Sequence, residues 1–118
     1  MPLLSTNFHS SEFACSCCGE EHMDTKLIAA LQRARDIAYI PFVINSGYRC
    51  EKHNQAVGGK PTSSHLKGLA VDIRARDIDE RLAIHMALFA AGFRRVGVGK
   101  TFLHADRDEM KARGEWVY

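Results

Sequence analysis

Apolar residues recur every three or four positions between Leu27 and Ile37, the period of a helix with one buried stripe. That stripe is Leu27, Ile28, Leu31, Ala34 and Ile37. Asp24 precedes it as an N-cap, so the pattern predicts a helix over 25–38, with Pro41 closing the region. The period then shortens to two. Phe42-Val43-Ile44-Asn45 predicts a short strand and Leu69 to Arg74 a longer one. In the second strand Leu69, Val71 and Ile73 face one way, and Ala70, Asp72 and Arg74 the other. Asp72 therefore leaves the core face, with small Ala70 beside it. A second helix is predicted over 79–91, from Asp79 through Leu82, Ala83, Met86, Phe89 and Ala90, stopped by Gly92. Residues 95–99 and 101–106 predict a hairpin turning at Gly99-Lys100, and Trp116-Val117-Tyr118 an added edge strand. Between the first two strands, residues 46–68 carry Gly47, Gly58, Gly59, Pro61, Ser63, Ser64 and Gly68 and read as a long loop, a feature that is usually functional. Residues 1–24 show no period and read as irregular. Helices and strands do not alternate regularly. The expected architecture is α+β, one domain over 1–118 with a small, mainly antiparallel sheet and flanking helices.

Composition narrows the function. The chain has 118 residues, 46% of them hydrophobic, enough for one core. The net charge of +2 lacks the clustered Lys and Arg of a nucleic-acid footprint, so no nucleic-acid partner is expected. No apolar run approaches a membrane span. The N-terminus lacks the basic start and long apolar core of a secretion signal. The expectation is synthesis in the cytoplasm, with access to any external target by another route or after removal of a natural signal. The sequence leaves the oligomeric state open.

The chemistry concentrates in Ser63-Ser64-His65-Leu66-Lys67-Gly68-Leu69-Ala70-Val71-Asp72. A histidine and an aspartate stand seven residues apart, and Phe102-Leu103-His104-Ala105-Asp106 adds a second histidine. Two imidazoles and a carboxylate are the ligand types that hold zinc with one position left for water. His104 and Asp106 share a strand face. His9, His22 and His85, taken singly, read as surface or capped histidines.

These residues resemble the signature of the M15 family of zinc peptidases, which cut D-amino-acid-containing peptides of bacterial cell walls. That signature, Ser-x-His-x-x-Gly-x-Ala-x-Asp, is met by Ser63, His65, Gly68, Ala70 and Asp72. The resemblance extends over roughly residues 40–108 and includes Ser46-Gly47-Tyr48-Arg49, Asn54 and Val57-Gly58-Gly59. It implies that His65, Asp72 and His104 are zinc ligands and that Arg49 and Ser63 contact substrate. A guanidinium suits a carboxylate, pairing with it through two hydrogen bonds. Many members place an acidic or histidine general base a few residues before the third ligand. Here residues 97–103 hold neither carboxylate nor imidazole, and the nearest candidate is Asp106. Asp106 is expected as the catalytic base; the alternative is that it orients a ligand histidine.

The function expected from the resemblance is zinc-dependent hydrolysis of peptidoglycan stem peptides, as carboxypeptidase or endopeptidase, in the manner of phage lysis enzymes. A rival is a non-catalytic zinc module, because the hedgehog signalling domain resembles this fold and metal site. A third reading, a stabilised phage structural domain, rests on the cysteines. Cys15-Ser16-Cys17-Cys18-Gly19 contains a Cys-x-x-Cys-Gly knuckle, and Cys50-Glu51-Lys52-His53 offers a second pair. Cys15, Cys18, Cys50 and His53 form a candidate structural zinc site; a disulfide from Cys50 or free thiols are the alternatives.

Overall fold

Two helices start where a side chain satisfies a free backbone N–H group. In the computed structural model, which describes residues 2–118, Asp24 caps α1 (Thr25–Ala38) by accepting from the Leu27 N–H. Asp77 does the same for α3 (Ile78–Ala90) through Glu80. The strands are β1 (Ile44–Ser46), β2 (Ala70–Arg74), β3 (Arg95–Val98), β4 (Phe102–Asp106) and β5 (Gly114–Val117). They form one sheet in the order β1-β2-β4-β3-β5. All neighbours run antiparallel except β5, which joins β3 in parallel. This is the expected α+β architecture, with the predicted hairpin realised as β3–β4. Among the described residues no helix is long and apolar enough to cross a membrane.

Alternation along the strands separates two functions. Val71 and Ile73 of β2, with Leu103 and Ala105 of β4, turn into a core shared with Leu27, Leu31 and Ala34 of α1 and Ile84, Ala87 and Leu88 of α3. The opposite sheet face keeps Asp72, His104 and Asp106. One rigid, hydrogen-bonded pair of strands thus has an apolar side that anchors it and a polar side free for chemistry.

The structure departs from the sequence reading in four places. Ile37 is 53% exposed, because α1 ends at Tyr39 (φ 60°) and Phe42 takes over the core contact beyond it. In α3 the buried face is Ile84, Ala87 and Leu88, whereas Leu82, Met86 and Phe89 look outward. The long loop contains a short helix, α2 (Glu51–Ala56), and a 3-10 turn at Ser64–Lys67. Residues 2–24, though mostly irregular, are not peripheral: Phe8 and Phe13 are fully buried and pack edge to face at 5.6 Å.

Candidate metal centre

His65 is placed by its own turn. Ser63 caps the 3-10 segment, its Oγ accepting from the His65 N–H at 3.3 Å. Gly68 ends it at φ +69°, where a Cβ would sit 1.8 Å from the His22 carbonyl oxygen. Only glycine tolerates both the left-handed backbone and that approach. We expect Gly68→Ala to displace His65. It should destabilise the fold by about 1–3 kcal/mol and weaken metal binding, checked by chemical denaturation and a zinc titration. A further brace comes from buried Asp108, which accepts from Ser64 Oγ at 2.8 Å and Lys67 Nζ at 3.1 Å.

The His65 ring donates through Nδ1 to the Gly47 carbonyl at 2.7 Å. A carbonyl only accepts, so Nδ1 carries the proton and Nε2 keeps its lone pair. Nε2 lies 3.4 Å from Asp72 Oδ1. Asp72 and His104 are direct cross-strand partners on β2 and β4, and His104 Nδ1 lies 3.0 Å from the same oxygen. The ligand atoms of His65, Asp72 and His104 all lie within 4.8 Å of one another. A donor set of two imidazoles and one carboxylate, gathered this closely and largely buried, fits a zinc ion.

Asp106 completes the arrangement from behind. Its Oδ2 accepts from His104 Nε2 at 2.8 Å, while Oδ1 accepts from Arg95 Nε at 2.7 Å and the Asp108 N–H at 3.2 Å. The His104 proton is therefore held at Nε2, leaving Nδ1 to face His65 and Asp72. Arg95 in turn stacks over Trp116 at 4.8 Å, and Trp116 lies 5.4 Å from the His104 ring. Arg95, Trp116 and Tyr118 were missed by the sequence reading. The signal was the Trp-x-Tyr spacing of an edge strand, which puts both rings on one face.

Arg49 stands on the other side. It donates from Nη2 to Asp72 Oδ2 at 3.4 Å, from Nη1 to Asn54 Oδ1 at 3.3 Å and from Nε to Ser46 Oγ at 3.2 Å. Arg49, Ser63, His65, Asp72, His104 and Asp106 all line one cavity of about 530 Å³, together with Lys60, Trp116 and Tyr118. The structure thus brings together all six residues singled out for the site. His53 does not join the thiol group of Cys15, Cys18 and Cys50; its Nε2 lies 3.2 Å from Ser16 Oγ.

The charges are mutually dependent. Burial raises the Asp72 carboxyl, but hydrogen bonds and attraction from His104 and His65 outweigh it and hold the group below the usual carboxylate range. Burial likewise raises Asp106, and His104, Asp108 and Arg95 pull it down. Burial lowers His104, while its bonds to Asp106 and Asp72 raise it further than burial depresses it. A raised folded-state histidine contributes stability below its ordinary value of about 6.5, lost as pH climbs through the raised value. The lowered carboxylates contribute above their ordinary values near 4, lost as pH falls through the lowered ones. Metal-free protein should therefore lose thermal stability as pH rises above about 6.5, the ordinary histidine value. Zinc-loaded protein should not, because metal on Nδ1 takes the place of the proton. Thermal melts across that range with chelator or with zinc check this.

The chain belongs to the peptidase M15 family, whose sequence model matches residues 6–106. By class it is a metallopeptidase. No curated protein matches the chain.

Proposed function

We propose that this protein is a zinc peptidase that hydrolyses D-amino-acid-containing peptide bonds in peptidoglycan stem peptides. The observation that carries this reading is the convergence of His65 Nε2, Asp72 Oδ1 and His104 Nδ1 on one wall of a cavity that also presents the Arg49 guanidinium. His65, Asp72 and His104 would hold the metal. Bound zinc supplies a Lewis acid that polarises a scissile carbonyl and brings the pKa of water to about 7.

The remaining steps belong to the chain's own residues. Gly47 and Asp106 each fix a ring proton, so that both imidazoles offer a lone pair inward. Arg49 positions a substrate carboxylate, and Lys60 adds positive charge to the same cavity. Stem peptides carry free carboxylates, which this lining suits. Ser63 retains a hydroxyl proton to donate. Burial raises the Tyr118 phenol, so it stays protonated as a donor on the cavity wall. We assign Asp106 to orienting His104, since both its oxygens are already occupied by donors.

Arg49→Lys keeps the charge and loses the planar fork. Its expected effect is a fall in kcat/KM of roughly tenfold to more than a hundredfold, the loss of about 1.5–3 kcal/mol from a charged hydrogen bond, with zinc content unchanged. Unaltered kinetics would place Arg49 outside the substrate site. The function itself is tested by incubating zinc-loaded protein with purified peptidoglycan and identifying new peptide termini by mass spectrometry. New termini that vanish with chelator support hydrolysis. Zinc-replete protein that releases none points to the second reading, a binding module of the same fold. That reading is favoured by residues 97–103, which hold no carboxylate or imidazole.

A further inference from the structure

Behind Arg49, away from the site just described, the chain gathers its cysteines. The sulfurs of Cys15, Cys18 and Cys50 all lie within 4.8 Å of one another, although Cys50 is 35 residues from Cys15 in sequence. All four thiols are free, and Cys15 Sγ is 3.6 Å from Cys50 Sγ. A disulfide would need about 2.05 Å. Sulfurs about 2.3 Å from a tetrahedral zinc stand about 3.8 Å apart. The 3.6 Å between Cys15 and Cys50 matches the spacing of zinc-bound sulfurs and not that of a disulfide.

We propose that Cys15, Cys18 and Cys50, with Cys17 as fourth donor, bind a structural zinc that clamps the N-terminal segment to the substrate arginine. The metal assignment is independent of the peptidase reading; only its effect on Arg49 rests on it.

The local backbone is built for thiolates. Gly19 closes the Cys15–Cys18 turn at φ +76°, its N–H donating to the Cys15 carbonyl at 2.7 Å. The Cys50 N–H donates to Cys15 Sγ at 3.4 Å, and the His53 N–H to Cys50 Sγ at 3.4 Å. Amides aimed at sulfur offset the charge that accumulates when several thiolates share one ion. Soft sulfur ligands in a closed set select zinc over hard cations, which prefer oxygen. Cys17, an exposed free thiol in the same Cys15–Cys18 turn, lies outside the three-sulfur group and is assigned the fourth position because the His53 ring is turned to Ser16.

The placement gives the clamp a purpose. Tyr48 N–H donates to the Phe13 carbonyl at 2.9 Å, and Arg49 N–H to the His65 carbonyl at 3.2 Å. Gly47, in the same segment, holds the His65 ring. A metal bridging residues 15–18 to residue 50 would lock the one stretch that carries both Arg49 and the His65 acceptor. Losing it should raise KM more than it lowers kcat.

The test uses the full chain. Gel-filtered wild-type protein should contain about two zinc ions per chain by elemental analysis, and Cys15→Ser/Cys50→Ser about one. Because that variant removes a stabilising element, a second variant leaves the cysteines intact. His65→Ala/His104→Ala should retain about one metal ion, and with cobalt it should show the intense near-ultraviolet thiolate-to-metal absorption of a sulfur-rich site. Cys17→Ser should weaken that absorption, and His53→Ala should leave it. The proposal is overturned if the His65→Ala/His104→Ala protein is metal-free with four titratable thiols, or if wild-type protein is lighter by two hydrogens, the mass of a disulfide. Loss of His53 rather than Cys17 altering the spectrum would remove Cys17 from the ligand set. None of these readouts depends on peptide hydrolysis.

Discussion

Asp72→Ala should reduce peptide hydrolysis to background and empty the centre of metal. The expectation follows from how much passes through one carboxylate. Asp72 Oδ1 is the common neighbour of His65 Nε2 and His104 Nδ1, and Oδ2 takes a guanidinium hydrogen bond from Arg49. Without it, the two imidazoles remain as a two-ligand site with no negative charge to offset the ion. The loss of zinc affinity should exceed the roughly 10- to 100-fold that removing an outer hydrogen-bond partner typically costs. Arg49 keeps Ser46 and Asn54 as partners, so the fold should survive with a penalty of about 1–3 kcal/mol. Calorimetric zinc titration, circular dichroism and a peptide-release assay separate these effects. Folded Asp72→Ala protein that binds zinc at this centre as tightly as wild type would remove the basis for the ligand assignment.

The polar face of the sheet was legible because strands alternate. Period two placed Asp72 off the core face and put His104 and Asp106 on one side, and the register then made Asp72 and His104 direct partners. Asp24 and the Leu27–Ala34 stripe likewise marked α1. What stayed hidden has physical reasons. Glu51–Ala56 has Ala56 as its one apolar residue and Asn54 as its one buried residue, so α2 left no apolar period to find. Phe8 and Phe13 enter the core from a segment without regular structure, where burial follows tertiary contacts and not spacing. Arg95 looks like an ordinary surface charge in sequence; its role comes from Asp106 facing it across the β3–β4 pair. The family signature located His65, but why the motif needs its glycine emerged only from the His22 carbonyl standing where a Cβ would go.

Asp106→Asn should lower zinc affinity by about 10- to 100-fold, with a smaller loss of turnover once metal is saturating. Three donors surround this carboxylate: His104 Nε2, Arg95 Nε and the Asp108 N–H. An amide offers one accepting oxygen where the carboxylate offers two. If the oxygen stays with Arg95 and Asp108, the NH₂ group meets His104 Nε2 and demands a lone pair there. The imidazole proton then moves to Nδ1, the atom aimed at His65 and Asp72, and that nitrogen can no longer accept a metal without a proton being lost. If the amide turns the other way, its NH₂ opposes the Arg95 guanidinium and the Asp108 N–H instead, and the brace loosens. Either orientation damages the centre through His104. A general base behaves differently: the near-isosteric amide would leave zinc affinity intact and remove roughly a hundredfold or more of turnover. Zinc titration and kinetics at saturating metal therefore separate the two roles. Wild-type affinity with turnover lost would return Asp106 to the chemistry, and wild-type values for both would exclude it from either task.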